Sequence, residues 1–161
     1  MKIFVIDDEH FMRESLKAFI NQNYPLDEVT VFDNGAEALG QLYTRPDLVI
    51  LDYHLNLDNH EAENGIEILK KITAAFPSMP VIFLSAQEDP RVAADSIKYG
   101  AYDYVVKNEN AHNRLQLLFK KIHSYNQLNS KSGWHQTLNI VLTVLVAGLI
   151  LGIIVMRIMG M

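Results

Sequence analysis

The chain has 161 residues, with 14 Lys and Arg against 19 Asp and Glu, a formal net charge of −5 and no cysteine. That length holds one domain with a real core plus an appendage. The lack of cysteine excludes a disulfide framework and a thiolate metal site, and the acidic balance argues against non-specific nucleic-acid binding. Charge is unevenly placed: after Ser132 the only charged side chain is Arg157, so residues 1–132 carry 13 basic and 19 acidic groups, a net of −6. Lys2 leads at once into a short apolar run and then acids, so no N-terminal signal peptide is expected.

In chain order, Lys2 to Ile6 reads as a strand stopped by Asp7-Asp8-Glu9. His10 to Asn23 places Met12, Leu16, Phe19 and Ile20 on one helical face. Glu28 to Phe32 is rich in β-branched residues and reads as a second strand. Asp33-Asn34-Gly35 turns the chain into a short helix, Ala36 to Tyr43, which Arg45-Pro46 breaks. The stretch Asp47 to Asp52 holds four consecutive apolar residues, the mark of a strand buried on both faces, and it ends in a carboxylate. An irregular segment, Tyr53 to Asn64, carries acids at Asp58, Glu61 and Glu63. Gly65 to Phe76 is helical by pattern, Val81 to Leu84 is a fourth buried strand ending at Ser85, and Asp89-Pro90 opens a helix that stops at Gly100. Tyr102 to Val106 is a fifth strand, ending at Lys107, and a last amphipathic helix spans about Glu109 to Tyr125.

This alternation predicts an α/β fold: a doubly wound, five-stranded parallel sheet of the flavodoxin-like order 2-1-3-4-5. Residues 126–135 form a short polar linker and interface. Residues 136–159 are expected to be a single transmembrane helix, because Leu138 to Met156 contains only Asn139 and Thr143 as polar residues. At about 1.5 Å per residue that run spans roughly 28 Å, close to a hydrocarbon core of about 30 Å. Lys120, Lys121 and Lys131 precede it and only Arg157 follows, which places residues 1–132 on the cytoplasmic side of the membrane. Gly148 and Gly152 make a small-residue pair on that helix, a motif that can pack a membrane homodimer.

The chemistry concentrates at strand ends. The predicted order sets Asp7 and Asp8, Asp52, Ser85 and Lys107 side by side at the edge where open sheets bind ligands. Taken singly each has a bland reading: Asp7 and Asp8 as helix caps, Ser85 as a loop residue, Lys107 as a solvated one, Tyr104 as packing. Together they point to a site. Carboxylates about 4 Å apart repel by on the order of 4 kcal/mol at an effective dielectric near 20, and Mg²⁺, a hard cation that takes oxygen ligands, offsets this. Mg²⁺, a lysine and a hydroxyl around one carboxylate suit a phosphoryl group, with Asp52 as a nucleophile that forms an acyl phosphate. His54, His60, His112 and His123 show no metal-ligand spacing.

Ile6-Asp7-Asp8-Glu9, Leu51-Asp52, Leu84-Ser85-Ala86 and Asp103-Tyr104-Val105-Val106-Lys107 together resemble the receiver domain of two-component response regulators, over about residues 1–125. The resemblance implies that Asp52 accepts a phosphoryl group from a phosphohistidine on a histidine kinase or histidine phosphotransferase. It implies that Asp8, Asp52 and the backbone carbonyl of His54 hold Mg²⁺, with Asp7 contributing through water, and that Ser85 and Tyr104 form a switch pair. It also implies output by contact with a downstream protein, through the face formed by the fourth helix, fifth strand and fifth helix. Three departures from the family pattern stand out: Asn108 follows Lys107 in place of a proline, Asn56 occupies another usual proline position, and the segment from Asp52 to Gly65 is about five residues longer than usual. The expected function is a membrane-anchored, single-domain phosphoacceptor, not a turnover enzyme. A phosphorylation-independent membrane scaffold and an aspartate-nucleophile phosphatase are the alternatives; the phosphatase lacks an Asp-x-Asp pair at a strand end.

Overall fold

A computed structural model describes residues 1–55, 63–86 and 89–158, the stretches 129–141 and 149–158 as helical backbone only. The elements are β1 (Lys2–Ile6), α1 (His10–Asn23), β2 (Glu28–Phe32), α2 (Gly35–Gln41), a 3-10 turn (Leu42–Thr44), β3 (Leu48–Asp52), α3 (Gly65–Ala75), β4 (Val81–Ser85), α4 (Pro90–Lys98), β5 (Asp103–Val106) and α5 (Ala111–Ile158). The strands form one parallel sheet in the order β2-β1-β3-β4-β5, as the strand–helix alternation predicts.

Continuous apolar strands are buried on both faces. Phe4, Ile6, Val49, Leu51, Val81 and Phe83 share one face and pack with Ala38, Leu42, Ile68, Leu69 and Ile72 from the segments after β2 and β3. The alternate residues Ile3, Val5, Leu48, Ile50, Ile82 and Leu84 are equally buried. Helix starts carry their own signals. Asn34 accepts from the Glu37 N–H at α2, and Asn64 and Glu67 close a reciprocal capping box at α3. Asp89 caps α4, whose first residue is Pro90.

The chain falls into two units, Met1–Gln116 and Leu117–Met161. Residues 126–135 are helical, part of the single element Ala111–Ile158. The stretch has no proline and a single glycine, Gly133, and polarity by itself does not stop a helix. Among the described residues no helix is long and apolar enough to cross a membrane. The expected span Leu138–Met156, with Gly152, lies largely outside the residues whose side chains are described. Within it, Leu142 to Gly148 are all exposed, and, outside the glycine's chain neighbours and its own helix backbone, no atom of the described residues lies within 4 Å of the position a Cβ on Gly148 would take.

Candidate functional site

Strand register assembles the site. Ile6 pairs with Leu51, so Asp7, the next residue, stands level with Asp52; Asp52 pairs with Leu84, and Ser85 with Val106. β1, β3, β4 and β5 thus each deliver the polar residue at their end to the same sheet edge. Asp7 N–H donates to the Phe32 carbonyl at 3.1 Å, Tyr53 N–H to Leu84 at 2.9 Å and Lys107 N–H to Ser85 at 2.8 Å, so the pairing continues one step beyond the strands.

Asp7, Asp52 and Ser85 are buried. Burying carboxylates is costly unless they are paired, and Lys107 supplies the pairing. Its Nζ lies 2.7 Å from Asp7 Oδ2 and 2.9 Å from Asp52 Oδ1. Asp7 Oδ1 accepts the Glu9 N–H at 2.9 Å. Burial, reinforced by Asp7 and opposed by Lys107, pushes the Asp52 carboxyl up to about 7. Asp7 is also raised, by burial above all, although Lys107 and the Glu9 N–H pull the other way. Burial works to lower Lys107, but the carboxylates of Asp52 and Asp7 outweigh it and hold the ammonium above its ordinary value.

Asp7, Asp8 and Asp52 each offer an oxygen, all within 4.8 Å of one another. Three carboxylates and one ammonium leave a formal excess of two negative charges (−3 + 1 = −2) in a largely dry crevice. Asp52 Oδ1 is buried, and although the ammonium is close, no donor is aligned on it as a hydrogen bond. An all-oxygen donor set with that charge deficit fits a hard divalent cation such as Mg²⁺.

The remaining expected residues are placed as follows. His54 lies two residues beyond Asp52, half-buried, its ring edge-on to Tyr53 at 4.7 Å. Tyr104 is half-buried, packed against the core and stacked on Phe83 at 6.4 Å. The Lys107–Asn108 peptide is trans, since no described bond is cis, and Lys107 still reaches both carboxylates. Asn56 falls in 56–62, outside the described residues.

Two residues join the site that the strand-end pattern does not find. Arg13, on the first turn of α1, donates from Nη1 to the Asp7 carbonyl at 2.6 Å. Its only trace in the sequence is a basic residue one helical turn past an acidic loop. Gly65 closes the excursion after β3: its N–H donates to the Tyr53 carbonyl at 2.8 Å. A Cβ there would run into the Asp52 carbonyl oxygen and stand 2.8 Å from Tyr53 Cα. The long segment therefore leaves and returns at one point, and its added length does not pry Asp52 from the sheet.

The family model for the response regulator receiver domain matches residues 3–119. The chain is 33% identical over 121 residues to chemotaxis protein CheY of Listeria monocytogenes, covering 74% of this chain and 97% of that one. It is 30% identical over 112 residues to the transcriptional regulatory protein LnrK of Bacillus subtilis, covering 69% of this chain and 49% of the relative, so it spans about half that regulator's length. Among solved structures, the receiver domain of NtrX from Brucella abortus aligns with a TM-score of 0.66 at 27% identity, over 74% of this chain and 96% of that one.

Proposed function

The chain belongs to the response regulator receiver domain family, and from that premise we propose that it is a membrane-anchored receiver that takes a phosphoryl group on Asp52 and signals by protein contact. The observation that carries this reading is the buried Asp52 carboxylate, ringed by Asp7, Asp8 and the Lys107 ammonium at one sheet edge. The donor is a phosphohistidine on a histidine kinase or a histidine phosphotransferase. A carboxylate oxygen of Asp52 attacks phosphorus, the P–N bond breaks, and the imidazole leaves with a proton, which conserves the phosphoryl group as an acyl phosphate.

Asp8, Asp52 and the His54 carbonyl would hold Mg²⁺, with Asp7 behind them through water; when bound, the ion supplies positive charge to the phosphoryl oxygens. The Lys107 ammonium moves from carboxylate to phosphoryl oxygen without leaving the crevice, so its charge is preorganised for the transferring group. Ser85 presents its hydroxyl from the neighbouring strand end, and Tyr104, two positions before Val106 on β5 and stacked on Phe83, follows it as the aromatic half of a switch. Nothing in this chemistry turns over an external substrate, so the protein acts as a phosphoacceptor that catalyses its own gain and loss of phosphate.

The membrane part of the proposal rests on the run Leu138 to Met156, with the receiver facing the cytoplasm and Gly148 and Gly152 on the face where two copies would meet. A phosphorylation-independent scaffold is the second reading, favoured by Asn108 in place of the family proline. The two separate in one experiment. Incubation of the full-length protein with acetyl phosphate and Mg²⁺, followed by intact-mass measurement, is expected to show one added phosphoryl group in the wild type and none in Asp52→Asn. No addition to the wild type, or equal addition to both, overturns the phosphoacceptor reading.

A further inference from the structure

Lys107 must hold its ammonium on two carboxylates from a loop that lacks the proline usual after it. The local hydrogen bonds show how. Lys107 N–H is held by the Ser85 carbonyl at 2.8 Å. Asn108 N–H turns straight back to the Val106 carbonyl at 2.9 Å, closing a three-residue turn with Lys107 at its centre. A proline at 108 has no N–H and cannot make that bond. The Asn108 side-chain carbonyl then accepts the Asn110 N–H at 3.0 Å, and the Asn108 backbone carbonyl accepts the Ala111 N–H at 2.9 Å where α5 begins. Asn108 thus fixes the backbone of Lys107 on its C-terminal side by three bonds, two through its main chain and one through its side chain. The side-chain bond is an Asx turn, which only a short side chain with an acceptor oxygen makes.

We infer that Asn108 is a positioning residue for Lys107: its Asx turn onto Asn110 locks the trans loop that aims the ammonium at Asp7 and Asp52. The inference rests on the phosphoacceptor reading for its rate effect, but its geometric content is independent of it. If the Asx turn is removed, the loop between β5 and α5 loosens and the ammonium samples positions off the carboxylates. Phosphoryl transfer then slows because the transferred oxygens lose a preorganised cation. Binding of Mg²⁺ moves the other way, because the ammonium and the metal compete for the same carboxylates. A variant that merely damages the fold weakens both.

The test is a double-mutant cycle on the full-length protein, with acetyl phosphate for rate and Mg²⁺ alone for affinity by calorimetry. Asn108→Ala is expected to slow phosphorylation roughly three- to tenfold, the range to which one net hydrogen bond converts, and to tighten Mg²⁺ about threefold by the same conversion. Asn108→Asp, which keeps the acceptor oxygen, restores the wild-type rate. Lys107→Met slows phosphorylation by on the order of a hundredfold, and in that background Asn108→Ala adds no further change to rate or to Mg²⁺ affinity. An unchanged rate and affinity in Asn108→Ala, a weakened Mg²⁺ affinity, or an additive effect on top of Lys107→Met each overturns the positioning role. If the wild type takes no phosphate while the two variants tighten Mg²⁺ non-additively, the phosphoacceptor reading fails and the positioning role stands.

Discussion

At the scale of single residues the site is defined by a carboxylate kept from ionising freely. Asp52 sits among apolar strand residues with Asp7 beside it, and its pKa rises from 3.8 to about 7. A carboxyl with a higher pKa in the folded than in the unfolded chain favours folding most below the unfolded value, and that contribution is lost as pH rises through the folded one. Without divalent metal, stability is therefore expected to fall between about pH 4 and pH 7. Asp7, raised in the same direction, adds to the slope. Lys107 is held above its ordinary value and stays charged throughout this window. Thermal melts in EDTA should show a midpoint several degrees lower at pH 8 than at pH 5.5, since about 1 kcal/mol moves a domain of this size by a few degrees. Asp52→Asn should flatten the slope and melt above the wild type at pH 8. Saturating Mg²⁺ should recover most of the loss, because it binds the ionised form and displaces the proton. A wild-type midpoint that rises across the same window would contradict the burial argument.

At the scale of elements, much was legible because one physical signal dominated. Continuous apolar runs such as Leu48 to Leu51 need cover on both faces, and a charge directly after such a run can stand only at the sheet edge; this is why Asp7, Asp52, Ser85 and Lys107 could be found together from the chain alone. The contacts that fix the site from outside the strands were not legible. Arg13 reaches back six residues to a carbonyl, and a carbonyl has no sequence signature. Gly65 looks like an ordinary glycine after a helix cap, and only the fold shows that its missing Cβ lets α3 start against the Asp52 backbone. The helical form of 126–135 was not legible for a related reason: local polarity says where water is tolerated, not where a helix stops. The glycine carries a prediction. Gly65→Ala forces the Asp52–Tyr53 backbone to move, and overpacking of this kind costs roughly 1–3 kcal/mol. The variant should melt several degrees lower, and the shift of Asp52 should lower phosphorylation in excess of the unfolded fraction. Gly40, where no atom lies within 4 Å of an added Cβ, is the control: Gly40→Ala should leave phosphorylation unchanged. Equal behaviour of the two alanine variants would remove Gly65 from the account of the site.

At the scale of the whole molecule the two ends of the chain differ sharply in composition. Residues 1–132 carry a net charge of −6, which on balance disfavours electrostatic adhesion to an anionic membrane surface. On the membrane-anchored reading, attachment comes from the apolar run. Leu142 to Gly148 are seven consecutive exposed residues, about two helical turns, and all but Thr143 are Leu, Val, Ala or Gly. A helix apolar all round suits a hydrophobic surrounding, and on the membrane-anchored reading burial at about 25 cal/mol per Å² would make insertion of such a run effectively permanent. The expected behaviour follows from the mismatch between the two parts. Full-length protein should pellet with membranes, stay there in high salt, and be released by detergent. Removal of residues 134–161 should leave the remainder in the soluble fraction with its acceptance of phosphate intact, since Asp7, Asp8, Asp52, Ser85 and Lys107 all lie in the unit Met1–Gln116. Release by salt alone would assign the attachment to charge, against the sign of the receiver. Recovery of the full-length chain in the soluble fraction without detergent would mean that the run is covered by protein, and the search would turn to a second copy packed along Gly148 and Gly152.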